Sequence, residues 1–572
     1  MYPYWRLTMV IQEEINWEKS IFKKLEFLYG TQSNLILEDI KALVKKYKHK
    51  KKPSKSWVDE NDIILITYAD SIYENGQLPL KTLKEFLVTY VKDSISAVHI
   101  LPFYPYSSDD GFSIIDYRQV NPKLGDWWDI KAIGENYDLM FDAVINHVSK
   151  SSEWFQNFLA GHEKYNDYFI EADPNGDYSK VSRPRALPLL TPFETVNGKK
   201  YLWTTFSEDQ IDLNYKNPAV LLEILEILAM YAANDARYIR LDAIGFLWKK
   251  KGTTCLNLDE THMVVKIIRE VLDKVAPGTI LIAEANVPHK ENISYFGDGY
   301  DEAHMVYQFA LPPLTLFSFY TGNAQKLLQW VDNLKQTSEM TTYLNFLASH
   351  DGIGMRPTEG ILEEEERDLM LKTTIEHGGL ISYKDNGNGT KCPYELNINY
   401  LDALTDSKED DTTRVNRFLA AHGILLSLVG VPGIYIHSLL GSRNYYKGVQ
   451  ESGIYRRINR EKLEKNILFA ELETNTIRRN IFYGLSRLIS IRKKQSAFSP
   501  RATQNALFLD SRVFSVLRTN EDTGDQILAM INVCGETVLI NTAYSGYELI
   551  SNRRLENQFV LQPYQIMWVK IS

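Results

Sequence analysis

The residues best suited to chemistry in this chain sit just past short apolar runs. Tyr238-Ile239-Arg240-Leu241-Asp242 sets an arginine and a carboxylate two residues apart, hence on one face if the run is extended. Such a pair at the end of a buried strand is costly unless the charges pair or react. The run Ile280-Leu281-Ile282-Ala283 leads into Glu284 and Asn286, and Tyr343–Leu347 precedes Ser349-His350-Asp351. Leu139–Ile145 leads into Asn146-His147, and Ala97–Leu101 precedes Asp109-Asp110-Gly111-Phe112. Carboxylates with a guanidinium and two imidazoles, and no cysteine or metal-ligand cluster, suit glycosyl transfer. Retaining enzymes use one carboxylate as nucleophile and a second as acid/base, roughly 5 Å apart. Asp242 beside Arg240 is expected to have a lowered pKa and stay ionised, as a nucleophile must. Glu284, after four apolar residues, is expected to be raised by burial and to donate a proton. Asp351 is left to bind sugar hydroxyls and favour an oxocarbenium-like state.

These groups need a scaffold that gathers strand ends. The chain has 572 residues, too many for one compact core. Short apolar runs at 63–66, 97–101, 139–145, 238–241, 280–283, 305–308, 343–347 and 433–436 alternate with amphipathic stretches at 80–91, 128–135, 217–234, 260–275 and 480–494. That rhythm predicts an α/β fold, a closed (β/α)8 barrel spanning 57–498, whose strand C-termini carry the site. An open doubly wound sheet fits less well, because no Gly-rich phosphate loop follows the first run. The rhythm is interrupted at 148–216 and 352–411, segments long enough to be inserted subdomains. Residues 1–56 read as a helical extension broken near Gly30, and 499–572 as an all-β C-terminal domain, with strands expected at 513–517, 527–533 and 559–569.

The apolar (44%) and charged (24%) fractions are those of a soluble globular protein. A net charge of −9 argues against a nucleic-acid surface, and the basic run Lys45–Lys55 reads as a solvated linker. The cysteines Cys255, Cys392 and Cys534 are widely spaced, which suits a reducing compartment and suggests neither a disulfide framework nor a zinc site. No run approaches the ~18–20 apolar residues of a membrane span, and Met1–Glu14 lacks an apolar core. The expectation is a cytoplasmic protein acting on small molecules, without metal or organic cofactor.

Tyr238–Ala243, Ile282–Glu284, Ser349–Asp351 and Asp142–His147 resemble the four short motifs of the α-amylase superfamily, glycoside hydrolase family 13. The resemblance covers 57–572 and is closer to the sucrose phosphorylase branch. The most specific pieces are Leu101-Pro102-Phe103 before Asp109–Phe112, Arg183-Pro184-Arg185, Gly252-Thr253-Thr254-Cys255 and Gly352-Ile353-Gly354. It implies Asp242 as nucleophile, Glu284 as acid/base, Asp351 as transition-state stabiliser and Arg240 as the arginine orienting the nucleophile. Asp109, His147, His350 and Arg460 match positions that hold donor-glucose hydroxyls, and Phe112 matches an aromatic platform. Arg185 and Tyr394 match positions that bind phosphate, a task suited to the planar fork of arginine. The implied reaction is a double displacement in which phosphate takes the glucosyl group.

Two acceptor positions depart from sucrose phosphorylase: Asn286 stands where that enzyme has histidine, and the acceptor loop reads Cys392-Pro393-Tyr394-Glu395. Both fall on fructose contacts. The N-terminal extension, Asn286–His289, Tyr394–Asn397 and Gly441–Asn444 look instead like the glucosylglycerate phosphorylases of this branch, which implies D-glycerate as leaving group. Phosphorylases of sucrose, sucrose 6'-phosphate or glucosylglycerol, a hydrolase or transglucosylase, and a barrel that only binds remain alternatives. Glu395 would repel an acidic acceptor unless a cation such as Arg185 or Lys391 intervenes.

Overall fold

A computed structural model describes residues 4–48, 55, 57–185, 187–335, 337–385, 390–474 and 476–571. Eight parallel strands close into a barrel: β1 (Ile64–Thr67), β2 (Ala97–Ile100), β3 (Asp138–Ala143), β4 (Ala236–Leu241), β5 (Ile280–Ala283), β6 (Met305–Tyr307), β7 (Thr342–Phe346) and β8 (Val431–Tyr435). Strand β8 completes the ring, pairing Val431 with Leu344 of β7 and Gly433 with Ile64 of β1. The strands are short and almost wholly buried, as expected when helices cover a parallel sheet outside and side chains fill it inside. In register, Arg240 lies opposite both Asp142 of β3 and Ile282 of β5, so the Arg240–Asp242 stretch is flanked by acid-bearing neighbours.

The expected third strand is two residues too long. Beyond Ala143 the chain leaves the ladder, because tyrosine hydroxyls take over its carbonyls: Tyr117 donates to Val144 (2.8 Å) and Tyr215 to Ile145 (2.8 Å). The expected helix at 80–91 is an α-helix only over Pro79–Phe86 and continues as a π-turn at Leu87–Val91.

Helices α1 (Tyr4–Tyr29) and α2 (Ser33–Tyr47) turn at Gly30 and pack on the barrel helices α3 (Pro218–Ala233) and α4 (Asp259–Val275). Ile21, Leu25, Ile36 and Ile40 are buried; Lys24 pairs with Glu270 (2.6 Å) and Lys46 with Glu226 (2.6 Å). Most of the Lys48–Lys55 stretch lies outside the described residues. Its C-terminal end is not free in solvent, since Lys55 reaches the buried Asp62 (2.6 Å). Helix α3 starts as its sequence dictates: Asn217 caps the amide of Ala219 (3.0 Å) and Pro218 takes the first turn.

Within 148–216 lie a helix (Glu153–Leu159), a hairpin (Leu190–Thr195 with Gly198–Trp203) and a strand (Gln210–Asp212) paired to His147–Ser149. Within 352–411, Ile353–Gly354, Lys391–Asn397 and Leu380–Asp385 form a three-stranded antiparallel sheet. A helix at Ile477–Arg492 leads to a six-stranded antiparallel sheet. The single strand expected at 559–569 is two strands, Arg553–Leu561 and Ile566–Ile571. A turn at Gln562–Gln565 separates them, with Tyr564 at φ 56°.

Buried side chains bind this sheet to the barrel: Arg518 donates to the carbonyls of Ser427 (2.9 Å) and Ser499 (2.8 Å), and Trp568 Nε1 to Ser427 Oγ (2.9 Å). Arg492, at the end of the helix before the sheet, donates to the carbonyls of Glu60 (2.6 Å) and Leu426 (3.0 Å). These guanidiniums satisfy carbonyls that burial would leave unpaired. Arg518→Met, which fills the volume but strands two carbonyls, is expected to cost about 2–4 kcal/mol. The readout is a lowered apparent Tm, with loss of the C-terminal sheet preceding loss of the barrel in hydrogen exchange.

Candidate active site

At the C-terminal mouth of the barrel the side chains converge on Arg240, which is 2% exposed. Its Nη1 lies 2.6 Å from both Asp142 Oδ1 and Asp242 Oδ1, and its Nη2 is 3.7 Å from Glu284 Oε2. The other oxygen of Asp142 meets His99 Nε2 (2.7 Å). The rings of Phe112 and Tyr307 lie 5.7 and 5.5 Å from the guanidinium carbon. One cation from β4 thus holds carboxylates from β3, β4 and the end of β5 in a single cluster.

Glu284 behaves as expected. Burial pushes its carboxyl up, Asp242 and Asp351 reinforce the shift, and the opposing Arg240 does not cancel it, so the pKa is raised to about 7. The amide of Ala243 donates to Glu284 Oε2 (2.8 Å), and Ala243 takes a left-handed conformation (φ 49°) to do so. For Asp242 the expected lowering is overturned. Burial is the larger effect, and the charge of Arg240 is offset by Asp142 on the same Nη1, so its pKa lies above the ordinary carboxylate value. Both carboxyls are therefore raised, Glu284 to about 7.

Asp351 differs. Burial pushes its carboxyl up, but Arg456, His350 and Arg460 together pull it well below the usual range. Arg456 Nη1 lies 2.6 Å from Asp351 Oδ1, while its Nε and Nη2 fork onto Glu395 at 3.0 and 2.5 Å. This is the cation that Glu395 requires, in place of Arg185 or Lys391. Its signal is the first arginine of the pair Arg456-Arg457, next to the run Arg457-Ile458-Asn459-Arg460.

Asp109 pairs with Arg185 (2.8 Å) and accepts from Gln210 (3.2 Å). Burial raises its carboxyl, but Arg185, Arg456 and Arg460 overcome this and hold it far below the usual range. His147 Nε2 contacts the carbonyl of Phe112 (2.9 Å) and Gln210 (3.1 Å). The Phe112 and His350 rings stack, 4.7 Å apart and 4° from parallel. Burial lowers the pKa of both imidazoles, His350 to about 3, so they act as neutral hydrogen-bonding groups.

A cleft of about 530 Å³ brings together Asp242, Glu284 and Asp351 with Asp109, Phe112, His147 and His350. Its other walls come from the inserted segments: Arg185 from the first, Tyr394 and Glu395 from the second, with Asn286 from the loop after β5. Arg240 lies behind the wall. So does Arg460: its Nη1 bonds Asp110 (2.7 Å), its Nε the carbonyl of His350 (2.7 Å), and it faces a separate cavity. Arg460 therefore braces Asp110 and His350 from behind.

A closed parallel barrel whose strand ends present buried carboxylates around a sugar-sized cleft defines a glycoside-processing (β/α)8 enzyme. The family model "Alpha amylase, catalytic domain" matches residues 86–360. This chain is 48% identical to the glucosylglycerate phosphorylase of Escherichia coli over 520 residues, spanning 90% of this chain and 93% of that protein. It is 46% identical to the glucosylglycerate phosphorylase of Allomeiothermus silvanus over 555 residues, spanning 96% and 98%. The sucrose phosphorylase of Agrobacterium vitis is more distant, at 31% identity over 464 residues, 77% of this chain and 89% of that protein. The crystal structure of sucrose 6F-phosphate phosphorylase from Thermoanaerobacter thermosaccharolyticum superposes with a TM-score of 0.74 at 25% identity, covering 88% of this chain and 98% of that one. The chain belongs to the α-amylase superfamily, in its sucrose phosphorylase-like branch.

Two outcomes follow from the electrostatics. Turnover that needs a protonated Glu284 is expected to fall as pH rises through about 7, measured as the alkaline limb of kcat/KM for glycoside cleavage. Arg456→Gln removes the nearest cation from Asp351, so its carboxylate is held less firmly and kcat is expected to fall roughly 10²-fold. A kcat within about twofold of the original would refute the Arg456–Asp351 coupling.

Proposed function

We propose that this chain is a retaining glycoside phosphorylase that reversibly converts 2-O-α-D-glucosyl-D-glycerate and phosphate to α-D-glucose 1-phosphate and D-glycerate. The observation that carries the reading is the charge of the cleft. Among the described residues, six cationic side chains line it (Lys180, Arg183, Arg185, Arg356, Lys384 and Arg456) against five carboxyl groups, of which Glu284 has its pKa raised to about 7. In a protein of net charge −9, a net positive cleft fits two anionic partners, glycerate and phosphate, that alternate beside the same glucosyl group. The relatives named above support the choice of glycerate.

Asp242 attacks C1 of the glucosyl group while Glu284 gives its proton to the departing glycosidic oxygen. The C1–O bond to glycerate breaks and an ester between Asp242 and the β-glucosyl group forms. A phosphate oxygen then attacks C1 from the side glycerate left, its hydroxyl proton passing to Glu284, and the ester bond breaks. Two inversions give retention. Asp351, held ionised by Arg456, stabilises positive charge developing at the ring; Asp109, His147 and His350 hold sugar hydroxyls, and Phe112 lies under the ring. Arg185 and Tyr394 supply the phosphate contacts. Glu395, paired with Arg456, shapes the acceptor wall with Asn286.

The test is phosphate-dependent formation of glucose 1-phosphate across a panel of α-glucosides. Glucosylglycerate is expected to have the highest kcat/KM, ahead of sucrose and glucosylglycerol. Equal release of free glucose without phosphate would overturn the phosphorylase reading, and a higher kcat/KM for sucrose would overturn the choice of acid. Asp242→Ala is expected to lower kcat by about 10⁴-fold or more with an unchanged circular dichroism spectrum.

A further inference from the structure

Resting on the glucosylglycerate reading, we infer that Arg356 receives the carboxylate of the leaving acid, and that Asn286 takes its free hydroxyl. As a leaving group, D-glycerate offers three polar groups: the glycosidic oxygen, a carboxylate and a primary hydroxyl. Glu284 serves the first. For the second, most cleft cations are already engaged. Arg456 lies 2.6 Å from Asp351 and grips Glu395, and Arg185 is the arginine given above to phosphate. Arg183 donates to the carbonyl of Leu187, and Lys180 is exposed.

Arg356 is different. Its side chain is 22% exposed, and the only carboxylate within ion-pair range among the described residues is Glu291, at 4.0 Å. Glu291 Oε2 already accepts from Asn257 Nδ2 (2.8 Å). The arginine is also rigidly mounted. The amide of Met355 donates to the carbonyl of Tyr394 (2.9 Å), and Ile353–Gly354 pairs with Leu396 and Glu395. Arg356 then opens a short 3₁₀ turn to Thr358. With its backbone held in this way, only the side chain of Arg356 has to be ordered when its planar fork grips a carboxylate.

Asn286 supplies the complementary group. Its Oδ1 is buried against Gly354 and has no donor, a costly state that a turn of the carboxamide toward a substrate hydroxyl would relieve. Its carboxamide presses on the backbone that carries Arg356: a Cβ at Gly354 would stand 2.8 Å from Oδ1. Asn286 is two residues past Glu284 and Gly354 two before Arg356, so acid/base, hydroxyl acceptor and carboxylate receptor follow one wall of the cleft. Glycerol lacks the group that Arg356 would hold, which makes this residue the discriminator between the two acceptors.

The test uses the full chain with α-glucose 1-phosphate as donor. Glucosylation of D-glycerate is compared with arsenate-dependent breakdown of glucose 1-phosphate, which passes through the phosphate position without glycerate. For Arg356→Ala, the ratio of the first rate to the second is expected to fall roughly 50-fold, mostly through KM for glycerate. The preference for glycerate over glycerol should fall by a similar factor, and Arg356→Lys should recover about tenfold of it. A parallel fall of both activities would assign Arg356 to phosphate or to folding. A glycerate KM within about twofold of the original, or a larger ratio change in Lys384→Ala, would place the carboxylate elsewhere. Either result overturns the inference alone. An unaltered enzyme that carries out arsenolysis but does not glucosylate glycerate overturns the functional reading and this inference together.

Discussion

The arrangement depends on one buried cation. Arg240 is pinned between Asp142 and Asp242 at 2.6 Å on each side and reaches Glu284 at 3.7 Å. Desolvating a guanidinium is expensive, and breaking such a cluster by removing one partner typically costs about 3–5 kcal/mol. Here the acids outnumber the cation, so none of them is fully neutralised. That imbalance is useful chemically. A single lowered carboxylate would be a poor nucleophile, and a fully compensated Glu284 would be a poor acid. Sharing one positive charge among three acids leaves Glu284 raised to about 7 and Asp242 raised as well. The His99–Asp142 contact (2.7 Å) steadies the member that takes no part in bond making.

A second chain of charges extends outward from this hub. Arg456 links Asp351, beyond β7, to Glu395 on the Lys391–Asn397 strand, and Arg460 links the carbonyl of His350 to Asp110. Asp351 and the strand that lines the cleft at Glu395 are therefore fixed by the same guanidinium.

The barrel was legible because its signal is local. Each strand is a short apolar run, and the catalytic residues follow within a few positions: Asp242 after β4, Glu284 after β5, Asp351 after β7. Where a feature depends on partners far along the chain, sequence reasoning failed or stopped short. Arg456 and Glu395 are 61 residues apart, and Arg460 and Asp110 are 350 apart. No spacing rule connects them, so Arg460 was expected in the cleft and stands behind it. The direction of the Asp242 shift failed for the same reason: Arg240 is adjacent in sequence, but the burial that outweighs it and the competing Asp142 come from other strands. The two strands at 553–571 merged into one because their apolar alternation passes almost unbroken across the turn at Gln562–Gln565.

The segment 148–216 carries more than acceptor residues, as the turn at Asp109-Asp110-Gly111 shows. All three residues have positive φ, 54°, 48° and 115°. For the two aspartates this is strain of about 1–2 kcal/mol each; the glycine is required, since a Cβ at 111 would stand 2.7 Å from the carbonyl of Pro102. Strain of this kind persists only when the surroundings over-determine it. Here Asp209, from the inserted segment, accepts from Ser107 (2.5 Å), Ser108 and Ser113 (3.0 Å), closing the turn from both sides. Arg185 and Gln210 of the same segment hold Asp109, while Arg457 and Arg460, past β8, hold Asp110. The barrel supplies the strand end, but it has no means of its own to hold two adjacent carboxylates in left-handed backbone at the rim of a sugar site. The insertion and the loop past β8 do so from opposite sides, and the platform ring Phe112, the next residue along, is placed by the same clamp.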